Sequence, residues 1–290
     1  MSQNSEQLNI QWFPGHMTKA RRKMQEDVKL VDAVCEIIDA RIPVSSRNPD
    51  IDELTRSKAR MIILNRIDQA DPAVTALWRD HFSESGAVVL LADCKSGKGT
   101  NGFAGAVREL LKDKLEANAK KGFVNKPLRV MVVGIPNVGK SSFINRVAGR
   151  KAAAASDRPG VTRGKQWISI GKGLELLDTP GILWPKFDNQ TVGENLAFTG
   201  AVKDTIVDIE TLGANLMLRL SDMYPDRLTE RYKFVPDESM SGYDMLEQAA
   251  RCRGFLISGG EYDISRMAAV LLDEFRGGKL GKISLERPGD

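Results

Sequence analysis

The segment GIPNVGKS, at residues 134–141, constrains the fold of this chain more than any other feature. It follows the apolar run RVMVVG and leads into SFINRVAG, which reads as a helix. The pattern GxxxxGK followed by Ser or Thr, between a strand and a helix, is typical of a loop whose backbone N–H groups surround phosphates. Lys140 is expected to neutralise the β- and γ-phosphate oxygens, and Ser141 to bind Mg²⁺. The predicted contacts of this loop come from Asn137, Val138, Gly139, Lys140, Ser141 and Ser142.

A second loop predicts the rest of a phosphate and metal site. Asp178 ends the apolar run LELLD and begins DTPG, which is similar to the γ-phosphate loop of nucleoside triphosphatases. The Asp178 carboxylate is expected to bind Mg²⁺, directly or through water, and the Gly181 N–H to reach the γ-phosphate. Between the two loops, SDRPGVTRGK offers Thr162 as a Mg²⁺ ligand that reports the nucleotide state, or else a turn with an incidental threonine.

Guanine is the predicted base, because NRID at residues 65–68 follows the apolar run MIIL. The Asp68 carboxylate can accept hydrogen bonds from guanine N1–H and the 2-amino group, a donor pair that adenine lacks. Arg66 stands where GTPases usually have lysine, and its stem can cover the base, although a lower affinity is expected. Taken alone, so short a match favours a surface turn.

In a second loop, ADCKSGKG, Asp93 and Cys94 replace the usual Ser-Ala pair, so only the backbone is expected to meet the guanine carbonyl. The predicted base contacts are Asn65, Arg66, Ile67, Asp68, Asp93 and Cys94.

The residue after DTPG is Ile182, where many GTPases have a glutamine that orients the attacking water. Because isoleucine has no hydrogen-bonding side chain, hydrolysis needs another group. His16 is the candidate, since the preceding Pro-Gly pair can turn the segment over the site and histidine can orient or deprotonate water. The equal alternative is a capping or RNA-contacting histidine. Asn137 resembles the asparagine that binds K⁺ in potassium-activated GTPases, or else is a loop-stabilising amide.

Composition limits the class of protein. The 290 residues are 42% hydrophobic and 28% charged, which predicts a folded chain of two domains. No apolar run approaches the roughly 18 residues of a membrane span, and the polar start is unlike a secretory signal. We therefore expect a cytoplasmic protein with reduced cysteines and no membrane or DNA partner. The net charge is only +4, but KARRKMQ at 19–25, near Trp12 and Phe13, predicts either an RNA contact or a solvated helix face.

The order of the segments predicts a rearranged α/β domain followed by a helical domain. Short apolar runs alternate with helical stretches up to about residue 190, which indicates a mostly parallel sheet covered by helices. The stretch 115–127 is expected to be a surface connection. The predicted domains are 1–190, a P-loop α/β domain, and 191–290, an all-α domain with apolar residues at helical spacing. Because NRID precedes the phosphate loop instead of following it, the α/β domain is predicted to be circularly permuted.

The chain resembles the circularly permuted ribosome biogenesis GTPase A family. The resemblance rests on WFPGHMTKA, DARIP, NRID, GIPNVGKS, DRPGVTRGKQW, DTPGILWPKF and LLDEFRGGKLGKISLE, in this order. It implies GTP hydrolysis in late assembly of the large (50S) ribosomal subunit, with the helical domain contacting ribosomal RNA. GTP or GDP, Mg²⁺ and K⁺ are the expected cofactors, and the large subunit is expected to stimulate a weak intrinsic turnover. The alternative is an RNA-binding assembly protein with a structural nucleotide site, although intact Lys140, Ser141 and Asp178 favour the GTPase.

Overall fold

The computed structural model describes residues 17–123, 126–149, 166–171, 173–179, 181 and 189–289. The described residues form two compact units, a first one within residues 17–181 together with 286–289 and a second one over residues 189–285. The predicted helical domain runs from 191 to 290, but its last residues, 286–289, belong to the first unit. The reason is Glu286, whose carboxylate accepts hydrogen bonds from Val44 N at 2.6 Å and Ser45 N at 3.0 Å.

A six-stranded sheet forms the centre of the first unit. Its strands are β1 (Ala33–Asp39), β2 (Ala59–Asn65), β3 (Val88–Ala92), β4 (Leu128–Val133), β5 (Gln166–Ser169) and β6 (Leu174–Asp178). Their spatial order is β3-β2-β1-β4-β6-β5, and every neighbouring pair is parallel except β5 with β6. All seven residues of β1 are buried, as expected for an inner strand covered on both faces. The predicted α/β fold with a mostly parallel sheet is confirmed.

Helices cover the sheet at α1 (Met17–Val28), α2 (Pro49–Thr55), α3 (Pro72–Glu84), α4 (Phe103–Leu110), α5 (Lys112–Lys120) and α6 (Lys140–Ala148). The start of α3 is specified locally, because Asp71 accepts a hydrogen bond from Ala73 N at 2.8 Å and Pro72 occupies the first turn. The expectation of a surface connection over 115–127 is wrong in its first half, since α5 runs to Lys120. Good helix formers fill that stretch, KDKLEANAK.

The second unit is helical: α7 (Gln190–Phe198), α8 (Ile209–Met223), α9 (Pro225–Tyr232), α10 (Gly242–Arg253) and α11 (Ile264–Arg276). The apolar stripe of α11 packs inward, with Met267, Leu271 and Phe275 buried. Helix α8 lies close to α11 at Gly213, where a Cβ would approach Ala268 Cβ to 2.6 Å. No helix in the described ranges is long and apolar enough to cross a membrane.

Parallel pairing determines where the functional loops lie. Strands β1, β2, β3, β4 and β6 run in the same direction, so their carboxyl ends meet at one edge of the sheet. In that register Asp39 lies opposite Asn65, and Val132 opposite Asp178. The segments after these strands are therefore neighbours in space although they are far apart in the chain.

Candidate nucleotide-binding site

The turn between β4 and α6, residues 134–139, requires glycine at both ends. Gly134 has a φ of 150° and Gly139 a φ of 104°, both in the region that disfavours side chains. A Cβ on Gly134 would lie 2.5 Å from a carbonyl oxygen of β1, and a Cβ on Gly139 would lie 2.3 Å from Asn65 Nδ2. Asn137 is also left-handed, at φ 59°, which asparagine tolerates better than most residues. The turn thus leads into the amino terminus of α6 in the shape that phosphate cradles use.

Lys140, the first residue of α6, is buried with its ammonium group inside this turn. Its Nζ donates to Gly134 O at 2.9 Å and to Ile135 O at 2.7 Å. An ammonium carries three donors, so in the part of the chain that the structure describes one remains for a phosphate oxygen. Burial lowers the pKa of Lys140 to about 8, and the Asp178 carboxylate opposes that shift. Bound phosphates would favour the charged form further.

Three other residues that are predicted to contact phosphate differ in their exposure. Val138 is buried, Ser141 is half-buried in the first turn of α6, and Ser142 is exposed. Ser141 is therefore the residue of this group that combines a hydroxyl with a position beside the Lys140 turn.

Asp178 ends β6 as a buried carboxylate without a matching donor. Neither of its oxygens has a hydrogen-bond partner of normal geometry among the described residues. Burial raises the pKa of Asp178, while Lys140 and the nearby Thr179 backbone lower it. A buried carboxylate that lacks donors is costly unless a cation or its water meets it. The residues present therefore fit a Mg²⁺ ion held by Asp178 and Ser141 together with nucleotide phosphates, where it would neutralise phosphate charge.

Gly181 brings the DTPG loop against the phosphate turn. A Cβ on Gly181 would lie 2.8 Å from Lys140 Nζ and 2.8 Å from Pro136 N, so there is no room for a side chain. The hydroxyl of Thr179 donates to Val132 O at 2.6 Å and ties the start of the loop to β4. The backbone of Gly181 is thus next to the lysine that is predicted to hold the γ-phosphate.

One buried amide, Asn65, joins three loops. Its Nδ2 donates to Val138 O at 2.7 Å, and its Oδ1 accepts from Cys94 N at 3.0 Å. The side chain therefore connects the base-reading loop with the phosphate turn and with the loop after β3. Its role here is to fix the relative position of these loops, which the sequence pattern did not show.

The remaining residues of NRID have separate surroundings. Asp68 is exposed at the carboxyl end of β2, where its carboxylate is accessible to a base. Ile67 packs against the hydrophobic cluster that includes Trp78 and Phe82, so it anchors the loop to the core. Arg66 is left-handed, at φ 66°, and its Nη2 donates to Asn137 O at 2.9 Å.

Several backbone donors of the loop after β3 already have protein acceptors. Asp93 N donates to Lys98 O at 2.9 Å, Cys94 N to Asn65, and Lys95 N to Asp93 Oδ1 at 2.8 Å. Burial alone raises the pKa of Asp93, but hydrogen bonds from Ser96 and Lys95 hold it below its usual value. The prediction that the Asp93–Cys94 backbone meets the guanine carbonyl thus requires one of these bonds to be shared or exchanged.

A buried ion pair that the sequence patterns did not predict lies at the end of β1. Asp39 accepts from Arg41 N and Nε, both at 3.0 Å, and from Arg41 Nη2 at 2.8 Å. Arg41 is only 1% exposed. Burial would raise the pKa of Asp39, but Arg41 and then Arg66 keep it lowered. The signal in the sequence was DARIP, with an acid and a base two residues apart directly after an apolar run.

Five residues that the sequence singles out lie outside the described residues: Trp12, Phe13, His16, Thr162 and Ile182. The predictions made for them, namely the RNA contact, water activation, Mg²⁺ binding and the missing glutamine function, stay predictions. The K⁺ role of Asn137 also stays a prediction.

A phosphate turn, a DTPG loop and a guanine-type loop at one edge of a sheet in this strand order define a circularly permuted P-loop GTPase. A family model described as 50S ribosome-binding GTPase matches residues 129–233. The ribosome biogenesis GTPase A of Priestia megaterium is 46% identical over 98% of this chain and 98% of its own length. That of Bacillus licheniformis is 45% identical over 97% of this chain and 99% of its own. The crystal structure of GNP-bound YlqF from T. maritima has a TM-score of 0.64 at 29% identity, covering 94% of this chain and 99% of that one. The chain belongs to the ribosome biogenesis GTPase A family.

Proposed function

We propose that this chain hydrolyses GTP to GDP and phosphate as a switch in late assembly of the large (50S) ribosomal subunit. In this proposal it binds the subunit precursor and its ribosomal RNA in the GTP state and leaves after hydrolysis. Membership of the ribosome biogenesis GTPase A family supports the ribosomal role. A cytoplasmic location goes with that role.

The observation that carries the proposal is the convergence of three loops at the carboxyl edge of the sheet. Among the described residues, Lys140 has one ammonium donor left and the buried Asp178 carboxylate has no hydrogen-bond partner. A Cβ on Gly181 would lie 2.8 Å from Lys140 Nζ. The Asn65 amide holds the base-reading loop to the same turn. A site that only stabilised the fold would have no chemical need for the carboxylate and the spare donor together.

The catalytic groups in this proposal come from more than one source. Ser141, Asp178 and Thr162 would hold Mg²⁺, and Asn137 would hold K⁺, which would offset charge as an arginine finger does. His16 orients or deprotonates the attacking water in place of the glutamine that Ile182 replaces. The large subunit raises turnover by ordering the His16 segment over the γ-phosphate.

The RNA contact in this proposal comes from basic residues of both units. In α1, the Arg22 side chain is 84% exposed and lies at 3.9 Å from Glu26, whereas Arg21 is paired more closely with Glu53, at 2.7 Å. In α10, Arg251 is exposed, whereas Arg253 pairs with Glu274 at 3.1 Å. Arg22 and Arg251 are therefore the better candidates for phosphate contacts.

The test is GTP turnover by the full chain with and without purified large subunits, in potassium and in sodium buffer. We expect weak turnover alone, stimulation by the subunit, and higher rates in potassium. Binding to subunits should also differ between a GTP analogue and GDP. Equal binding with both nucleotides, together with no stimulation, would instead favour an RNA-binding assembly protein with a structural nucleotide site.

The His16 assignment has a matched control in His81, because the chain has only two histidines and His81 is exposed on α3. His16→Ala should lower stimulated turnover by about 10- to 1000-fold with GTP affinity near wild type. His81→Ala should leave turnover unchanged. A His16→Ala variant that turned over at the wild-type stimulated rate would leave the whole effect to K⁺ or to the subunit.

A further inference from the structure

The arginine at position 66 makes two contacts that one lysine could not make. Its Nη2 donates to Asn137 O at 2.9 Å, and its Nε lies 3.4 Å from Asp39 Oδ2. Lysine has a methylene where arginine has Nε, and its ammonium ends one atom short of Nη2. One guanidinium therefore connects the base-reading loop to the phosphate turn and to the end of β1.

The Asp39 carboxylate is held in position by contacts other than the one with Arg66. It is buried, and Arg41 binds both of its oxygens, through Nε at 3.0 Å and Nη2 at 2.8 Å. The backbone N–H of Asp39 donates to Ser46 Oγ at 2.9 Å, which holds the end of the strand. These contacts fix the position of the Asp39 Oδ2 atom that Arg66 approaches.

Backbone conformation shows that these contacts hold an unfavourable geometry in place. Arg66 has a φ of 66° and Asn137 a φ of 59°, so both residues at the ends of this hydrogen bond are left-handed. Such a conformation costs about 1 kcal/mol or more for a residue with a long side chain and persists only where surrounding contacts fix it. Asp68, two residues after Arg66, takes its position from this loop.

We propose that Asp39 is a positioning residue for the guanine nucleotide, acting through Arg66 to set the distance between the phosphate turn at Asn137 and the base-reading Asp68. The inference rests on the proposed nucleotide site. It also explains why arginine replaces lysine here: the substitution is matched to Asp39 and supports affinity, contrary to the lower affinity expected from the sequence.

The test is titration of the full chain with fluorescent GDP, with GDP and IDP as competitors. Wild-type binding of GDP examines the site itself, and its absence would reject the proposed function as well. Given that binding, Arg66→Lys should raise Kd by about 3- to 30-fold, which lies within the range for residues coupled in one hydrogen-bond network. Arg66→Met, which keeps the stem over the base, should lose at least as much.

Asp39→Asn should also raise Kd. In the double variant that combines it with Arg66→Lys, Kd should be only slightly higher than in whichever single variant binds GDP less tightly. Preference for GDP over IDP, which lacks the 2-amino group, should fall in each variant because Asp68 is displaced. The matched control is Glu36→Gln, since Glu36 is a buried carboxylate on the same strand that holds Arg60 at 3.0 Å and Arg47 at 3.2 Å. It should alter stability and leave Kd and base preference unchanged.

Two results would overturn the inference. One is an Arg66→Lys variant that binds GDP as tightly as wild type, and the other is a double variant whose losses multiply. If Asp39→Asn does not fold, the Arg66 variants decide the question alone, because that side chain is 25% exposed and its replacement leaves the core intact.

Discussion

Glu274→Gln should destabilise the helical unit in a pH-dependent way. Glu274 lies in α11, is 4% exposed and forms side-chain hydrogen bonds with three residues. It accepts hydrogen bonds from Arg231 Nε at 3.0 Å, Tyr232 OH at 2.9 Å and Arg253 Nη2 at 3.1 Å. Glutamine keeps the shape of the side chain but removes the charge that these donors meet, so the two guanidinium groups lose their counter-charge.

The magnitude follows from the pKa. Burial alone would raise the pKa of Glu274, but the hydrogen bonds from Arg231 and Tyr232 and the charge of Arg253 lower it from 4.5 to about 2. A difference of this size contributes about 3 kcal/mol to the free energy of unfolding. Because the folded pKa is the lower one, the contribution is complete above about pH 4.5 and is lost as the pH falls towards about 2. Roughly half of it, about 1.4 kcal/mol, remains at pH 3.

The assay is urea unfolding at pH 7 and at pH 3, followed by circular dichroism and by hydrogen exchange of α8, α10 and α11. The Glu274→Gln variant should lose about 3 kcal/mol at pH 7 and about half as much at pH 3. Glu230→Gln is the control, since that carboxylate is 74% exposed and lies 3.5 Å from Arg227, and it should stay within about 0.5 kcal/mol of wild type. Equal losses by Glu274→Gln at both pH values would show a packing effect and refute the electrostatic argument.

Three further predictions concern the nucleotide site and RNA. Gly139→Ala should weaken GDP and GTP binding by about 100-fold, since its Cβ would meet Asn65 Nδ2 at 2.3 Å in a disfavoured backbone conformation; affinity within threefold of wild type would contradict this. Asp68→Asn should remove most GTP-over-ATP discrimination and favour xanthine nucleotides, and unchanged competition by ATP would reject the assignment. Arg251→Ala should flatten the log–log salt dependence of subunit binding by roughly 0.7 to 0.9, whereas Arg253→Ala should leave it unchanged.

The sequence was sufficient for the parts of the fold that are buried on both faces. The runs that became β1, β2, β4 and β6 are apolar because inner strands of a covered parallel sheet have no solvent face. Strand β5 was not predicted, since it has four residues at the sheet edge and its sequence QWIS is half polar. Helix α5 was missed for a related reason: none of its residues is buried, so no apolar period marks it.

The sequence predicted those site residues whose type is required by the ligand they contact. It did not predict contacts between side chains that are far apart in the chain. Lys140 and Asp178 follow from their motifs, because the phosphate and the metal dictate these residue types. The contact of Arg66 with Asp39 joins residues from two strands, and no local pattern reports it. Asn65 is an intermediate case, since its motif predicts a position near the base but not the hydrogen bonds that hold three loops together.

The order of segments in this permuted chain gives the helical unit two covalent connections to loops at the nucleotide edge. At one end, residue 187 follows closely after Gly181, whose backbone lies against Lys140. At the other end the chain returns at Glu286, whose carboxylate accepts from Val44 and Ser45 and whose carbonyl oxygen accepts from Trp78 Nε1 at 3.0 Å. The loop that holds Glu286 follows Asp39 directly in the chain, and its Ser46 accepts from the Asp39 N–H. The Glu286 carboxylate and the Asp39 backbone therefore hold the same loop of the first unit, residues 44–46, which follows β1.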